Sequence, residues 1–407
     1  MEFLGSKKFL TIIGFLGLYL LSTGTSWAIF SFVKGSPAID TANLGELQSA
    51  RSRINLDLPR TETCPINGGK FTKIERNIWE GRRPLTVSIE NHADSRPPSG
   101  LSRADVVYEA VAEGGITRFL GVFHCGVAAE DVQIAPVRSA RIYFVNLAAG
   151  YGDRPIFAHV GGANAICGNC SSGVKPVSQV AREVRAIEEL ASLGWRIPRG
   201  NDFDTTYDSG FPVFWRNYER LGREVASEHT MMISSDKIFE EAAKRGFTDK
   251  KDGKPWDRSF NPWNFKEDAP ADEPKAANIS FEFWSNKPEY NVEWKYDKGS
   301  NAYLRSNGGK PHADLEYNNK QLSAKNVVIM FVVERGPVDS EKHMYYEVEG
   351  TGRALVFQDG GVIEGTWEKK SQSSLTRFLD SKGKEISFVG GTTWVEAVPK
   401  GNEINYD

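Results

Sequence analysis

Between Ala277 and Pro399 the chain repeats one kind of text. Short runs dense in β-branched and aromatic residues (ISFEFW, NVEWKYD, AYLRSN, NVVIMFVVE, YYEVEG, RALVFQDG, GVIEGTWEK, LTRFLD, ISFVGG, TTWVEAVP) alternate with Gly, Asp and Asn. Branched and aromatic side chains fit a pleated, half-buried surface, and the residues between them supply the backbone that tight turns need. This half, 277–400, is expected to be a mainly antiparallel β domain. With 407 residues, 40% of them hydrophobic and 25% charged, the chain has material for two globular domains. A formal net charge of −3 gives no whole-chain field toward nucleic acid, so no nucleic-acid partner is expected and any electrostatic recognition must be local.

The N-terminus has a different character. Phe9 to Val33 holds no charged residue, and at about 1.5 Å per residue it is long enough to cross a hydrocarbon core of about 30 Å. It reads as a transmembrane helix. A cleaved signal peptide ending at Ser26-Trp27-Ala28 is the alternative, but the apolar run continues past that site. Lys7 and Lys8 precede the run, which by the positive-inside tendency leaves residues 1–8 cytoplasmic and places the folded part outside. The expected localisation is the plasma membrane, single-pass. A polar stretch, 34–63, follows as a stalk.

All four cysteines, Cys64, Cys125, Cys167 and Cys170, lie beyond the anchor, and an even number in an oxidising compartment reads as two disulfides. Cys167 and Cys170 can close on each other or divide their sulfurs between Cys64 and Cys125. A four-sulfur zinc site or a redox pair is the alternative use of C-x-x-C, but a second such motif and a thioredoxin-like context are missing.

The segment 64–248 mixes both periods and is expected to form an α+β domain. Leu85 to Ile89 reads as a strand, followed by an irregular loop, NHADSRPPSGL. Ser102 and Asp105 stand in a capping arrangement, and Val106, Val107, Ala110 and Val111 recur at helical spacing, which predicts a helix ended by Gly114-Gly115. Asp105, Glu109 and Glu113 would line one flank of it. Ile116 to Cys125 reads as a strand carrying Arg118. Ser139 is expected to cap a helix running to Gly150, flanked by Arg138 and Arg141, and cations at a helix start call for an anion among them. Pro155 to Val160 is a strand that brings His159 beside Gly161-Gly162. Helices are expected over 178–193 and 235–245, with Glu228-His229 between them, and 249–276 reads as a linker or an inter-domain excursion. The expected fold class is therefore α+β: a mixed α/β-layered N-terminal domain, then a mainly antiparallel β domain, preceded by one transmembrane helix.

The order of motifs resembles the YerB-like family of bacterial lipoproteins. The resemblance rests on Cys64-Pro-Ile-Asn-Gly, Asn91 with Arg96-Pro97, Ala104-Asp105 leading to Tyr108-Glu109, Glu113-Gly-Gly-Ile-Thr-Arg118 and Pro136-Val-Arg-Ser-Ala-Arg141. In the second half it rests on Tyr303 with Arg305, His312 with Asp314, Gly365-Thr-Trp367 and Gly391-Thr-Thr-Trp394. It implies an α+β domain followed by a β-rich one and attachment at the cell surface, and it supplies no catalytic residue. The family label implies a lipid-modified cysteine, whereas no cysteine precedes Cys64.

The chemistry-bearing set is Asn91, Arg96, Asp105, Glu109, Glu113, Arg118, Arg138, Ser139, Arg141, His159 and His229. Arginines grip carboxylate or phosphate through paired N–H groups, and a carboxylate or imidazole can move a proton. The same residues also compose an ordinary partly buried ion-pair network. The expected function is a membrane-anchored envelope protein that binds an anionic cell-wall component or a partner protein through an Arg/Glu-rich cleft in the N-terminal domain. The alternatives are an enzyme acting on cell-wall polymer or its lipid-linked precursor, and a scaffold for envelope synthases or hydrolases. Convergence of Arg138, Arg141, Glu113 and His159 on an open cleft favours a ligand, and mutual pairing favours the scaffold. No cofactor or metal is expected, since H-E-x-x-H, G-x-S-x-G, Walker and dinucleotide motifs are absent. Ser234-Ser-Asp-Lys237 fits S-x-x-K, but Ser234 is better used as a helix cap. Trp284, Trp294, Trp367 and Trp394 are core or a sugar platform.

Overall fold

The computed structural model describes residues 58–407, so the apolar run Phe9–Val33 and most of the stalk lie outside the described residues. Among the described residues no helix is long and apolar enough to cross a membrane.

One large sheet organises the chain. Its strands run in the order Arg377–Asp380, Gly361–Lys369, Gly350–Gln358, Asn326–Arg335, Thr393–Pro399, Val106–Glu113, Ile116–Phe123, Leu85–Glu90, Ile156–His159 and Asp202–Asp204, with Tyr345–Glu347 paired to Asn326–Arg335. Thr393–Pro399 pairs in parallel with Asn326–Arg335 on one side and with Val106–Glu113 on the other. The β-rich second half and the first half therefore share a single continuous sheet, joined at its middle. A smaller antiparallel sheet, Lys310–Pro311, Ala302–Asn307, Val292–Asp297, Asn278–Phe281 and Ile404–Tyr406, contacts those central strands through Trp294, whose ring lies 5.3 Å from that of Trp394 at 73°.

The helix expected from Ser102 to Glu113 is a strand, Val106–Glu113. The strand is hydrogen-bonded on both edges and nearly all of it is buried. A strand covered on both faces reads as an almost continuous apolar run, and VVYEAVAE satisfies the helical template by accident. Gly114 (φ 57) and Gly115 (φ 84) form the two-residue turn of the hairpin with Ile116–Phe123, both in the left-handed region that favours glycine. Ser102 lies in a single 3-10 turn, and its N–H donates to Asp314 at 2.8 Å.

Two further helical expectations shrink. The helix after Ser139 is Ile142–Ala148, with Arg141 at its cap position and no side-chain cap, because the chain is still extended at Arg141. In 178–193 only Ala186–Ser192 is α-helical. The helix Ser235–Lys244 forms as expected, with Ser234 Oγ accepting the Lys237 N–H at 3.1 Å, which is the capping use of S-x-x-K. The stretch 249–276 does not behave as a free linker. Trp256 and Trp263 are buried, Trp263 Nε1 donates to the Thr376 carbonyl at 2.8 Å, and Phe265–Lys266 pairs with Phe388–Val389.

The disulfides join Cys64 to Cys125 and Cys167 to Cys170. Trp294, Trp367 and Trp394 are core, while Trp284 is only half-buried.

Candidate functional site

At the joint between the two halves, parallel pairing puts Glu396 beside Glu109 on adjacent strands. Two carboxylates so placed in a fully buried layer need a cation, and Arg305 on the Ala302–Asn307 strand supplies it. Its guanidinium reaches Glu109 Oε2 at 2.5 Å and Glu396 Oε1 at 2.7 Å, and all three side chains are wholly buried. The rings of Trp294 and Trp394 stack against it, 5.2 and 4.6 Å from its centre. One arginine for two carboxylates leaves a surplus negative charge. Burial holds the Glu396 carboxyl well above the usual carboxylate range, with Arg305 opposing and Glu109 reinforcing the shift.

Asn91 and Arg96 lead from this clamp to the surface. Asn91 Nδ2 faces Glu109 Oε1 (3.3 Å), Thr117 Oγ1 (2.7 Å) and Asn307 Oδ1 (3.0 Å). Arg96 Nε donates to Asn91 Oδ1 at 2.9 Å and Nη1 to the Glu289 carbonyl at 2.7 Å, and its guanidinium lies over the Tyr290 ring. Burial pushes the Arg96 pKa down to about 10. Beside it opens a cavity of about 390 Å³, walled by Arg96, Glu289, Asn307, Lys310 and His312 among others. His312 Nδ1 accepts from Arg305 Nε at 3.1 Å, so the neutral ring carries its proton on Nε2, and that buried atom has no partner among the described residues. Burial, then Arg305 and Arg96, hold its pKa well below the usual value. The sequence motif H-A-D divides its labour: Asp314 accepts N–H groups of Gly100 and Ser102 and braces the loop.

The remaining predicted residues do not converge on an open cleft. Glu113 pairs with Arg118 at 3.3 Å and with Arg141. Arg138 pairs with Glu90 at 3.0 Å, and Glu90 also meets His229 Nδ1 at 2.7 Å. Ser139 contributes its carbonyl, which accepts from Ser88 Oγ and Arg118. His159 is fully buried between the Asp202 carboxylate (2.6 Å) and the Gly161 carbonyl (2.7 Å). Both its nitrogens face acceptors, and although burial lowers its pKa, Asp202, Asp204 and the Gly161 carbonyl raise it above the usual value. Asp105 accepts backbone N–H groups and stands among Cys64 and Cys125, whose sulfurs are joined and unavailable to a metal. Asp105, just before the strand, and Glu109 and Glu113 within it thus occupy three separate places, where a helix would have gathered them.

Because Arg141 is almost wholly buried against Glu113, Arg141→Ala is expected to lower unfolding free energy by about 2 kcal/mol, below the usual cost of breaking a buried pair because Glu113 is a quarter exposed and keeps Arg118. Urea unfolding of the variant reads this directly, and an unchanged midpoint would remove Arg141 from the fold's internal pairs.

Sequence reasoning passed over Glu90, His92, Asp94, Lys310 and Glu396. For Arg305 a signal existed, since Tyr303, Arg305 and Asn307 alternate on the buried face of their strand. A cation at such a position demands a buried partner. A second, larger groove of about 640 Å³ runs along Phe281, Glu282, Trp284, Glu334, Pro399 and Glu403.

Residues 72–248 match the family described as "Protein of unknown function (DUF3048) N-terminal domain", and 279–395 match its C-terminal domain. The chain is 32% identical over 346 residues to the protein named "Putative lipoprotein YerB" of Bacillus subtilis (strain 168), covering 84% of this chain and 88% of that one. The crystal structure of YerB protein from Bacillus subtilis superposes with a TM-score of 0.64 at 28% identity, covering 85% of this chain and all of that one.

Proposed function

The chain belongs to the DUF3048 family, and within it we propose an extracytoplasmic protein of the bacterial envelope that binds an anionic group, carboxylate or phosphate, of a cell-wall component. The lipoprotein name of the Bacillus subtilis relative supports surface attachment, and the uncharged run Phe9–Val33 supports a helix as the means here, with the folded part outside.

The observation that carries the reading is the cavity beside Arg96. Among the described residues Arg96 has no carboxylate within ion-pair distance and spends its N–H groups on amide oxygens of Asn91 and Glu289. Lys310 stands exposed at the same wall, and the His312 Nε2–H has no acceptor among the described residues. An anion seated there would meet two cations and one fixed dipole. Glu113 and His159 are consumed by internal pairs, so we assign them no catalytic role.

The test is binding of the full chain to a soluble muropeptide with free stem carboxylates and, separately, to a glycerol-phosphate oligomer. Saturable binding of either, weakened about tenfold by Lys310→Glu at an unchanged melting temperature, is the expected result. Binding of neither, or equal binding by the variant, overturns the reading. A scaffold for envelope enzymes is the second reading, favoured by the closed pairing of Arg118, Arg138 and Arg141 and by the groove along Trp284, Glu334 and Glu403, whose carboxylates suit a basic segment of a partner.

A further inference from the structure

We infer that His92, Asp94 and His229 form a binding site for a divalent transition-metal ion, Zn²⁺ being the commonest that two imidazoles and a carboxylate hold. No single stretch of sequence announces it. The loop after Leu85–Glu90 carries His92 and Asp94, while His229 arrives from the segment just before the Met231–Ser234 strand. The fold brings the two together. The rings of His92 and His229 stack with centroids 4.9 Å apart at 21°, and one donor atom from each of His92, Asp94 and His229 lies within 4.8 Å of the others.

The second observation concerns which nitrogen is free. His229 Nδ1 lies 2.7 Å from Glu90 Oε2, and an ionised carboxylate only accepts, so Nδ1 carries the proton and Nε2 offers its lone pair. A carboxylate behind the far nitrogen is the arrangement that orients metal-ligating histidines. Glu90 is itself balanced by Arg138 at 3.0 Å, so it does not depend on His229 for its counter-charge. On the other side, Asp94 Oδ2 stands 3.8 Å from His92 Nδ1, close to the roughly 3.4 Å that separates two donors on one tetrahedral ion with bonds of about 2.1 Å. His92 Nδ1 presently accepts the Asp94 N–H at 3.1 Å and would exchange that contact for the metal. The Asp94 side chain is 71% exposed, free to close the remaining distance by rotation. Of the surrounding charges, Glu228 adds a negative one near both histidines, while Arg138 on Glu90 and Arg223 on the Asp94 carbonyl oppose the cation. Three protein ligands leave a position for water.

The experiment is titration of the tag-free full chain with Co²⁺, read by its visible absorption, followed by displacement with Zn²⁺. One ion per chain is expected, with His92→Ala and Asp94→Asn each weakening it by about tenfold or more. Both residues are at least partly exposed, so the variants should melt as the parent does. Lys310→Glu should leave the metal bound, which separates this site from the anion cavity. Absence of stoichiometric binding, or equal binding by both variants, overturns the inference.

Discussion

Arg305→Ala is expected to lower the unfolding free energy by about 5 kcal/mol, the upper end of what removing one partner of a buried ion pair costs. The size follows from the count of charges. Glu109 and Glu396 are neighbours across two parallel strands, both wholly buried, and Arg305 is the cation that touches both. Alanine leaves two carboxyl groups facing each other, a void between Trp294 and Trp394, and His312 without the donor that fixes its ring. The clamp also joins the two halves of the chain, since Glu109 comes from the first and Arg305 from the second. Urea unfolding followed by tryptophan fluorescence is the measurement, and a loss under about 2 kcal/mol would mean that the carboxylates escape to water or protons without penalty.

The same clamp makes a pH signature. Burial holds the Glu396 carboxyl well above its ordinary 4.5, so between that value and its folded pKa the native state keeps a proton that the unfolded chain has lost. Stability from this group is therefore fully present below about pH 4.5 and declines as pH rises, by up to about 1.4 kcal/mol per unit. Carboxylates held low, such as Asp339 and Asp359, contribute in the opposite sense at lower pH. The difference between the parent and Glu396→Gln isolates the group.

What the sequence made legible is local. The strands Leu85–Glu90, Ile116–Phe123 and Asn326–Arg335 announce themselves by composition, and Ser234 announces its helix by a cap. The failure at Val106–Glu113 has a physical cause: burial on both faces erases the alternation that marks a strand, and Val106, Val107, Ala110 and Val111 then fall at helical spacing. Gly114-Gly115 was the discriminating signal, because a glycine pair between two apolar runs is a hairpin turn as readily as a helix end. The parallel pairing of Thr393–Pro399 with Val106–Glu113 joins segments from opposite ends of the described chain, and no local pattern encodes it. From that pairing come the clamp and the cavity beside it. The charges of Arg118, Arg138 and Arg141 were legible as charges, while their partners, Glu90 and Glu113, depended on the sheet.

Asp105→Ala is the second substitution expected to be severe, at about 4 kcal/mol, because several buried donors lose one acceptor together. Asp105 immediately precedes the Val106–Glu113 strand and receives the turn that follows Ile116–Phe123. Its Oδ2 accepts the N–H groups of His124 (2.6 Å) and Cys125 (3.0 Å), and its Oδ1 accepts those of Gly126 (3.1 Å) and the Asn67 amide (2.6 Å). Alanine strands the buried donors of Asn67, His124 and Cys125 and the half-buried Gly126 N–H, each buried one costing about 1–3 kcal/mol if no water reaches it, and the total is reduced to the extent that water enters. Asp105→Asn keeps one oxygen but turns an N–H pair toward other N–H groups, so it should fall between the parent and alanine. The neighbouring Cys64–Cys125 disulfide offers an independent reading, since the two segments it joins are the ones that Asp105 holds together. Thiol release under mild reductant should accelerate in the order parent, asparagine, alanine, alongside the unfolding data. If Asp105→Ala unfolds within about 1 kcal/mol of the parent, the turn is held by the disulfide and not by the carboxylate.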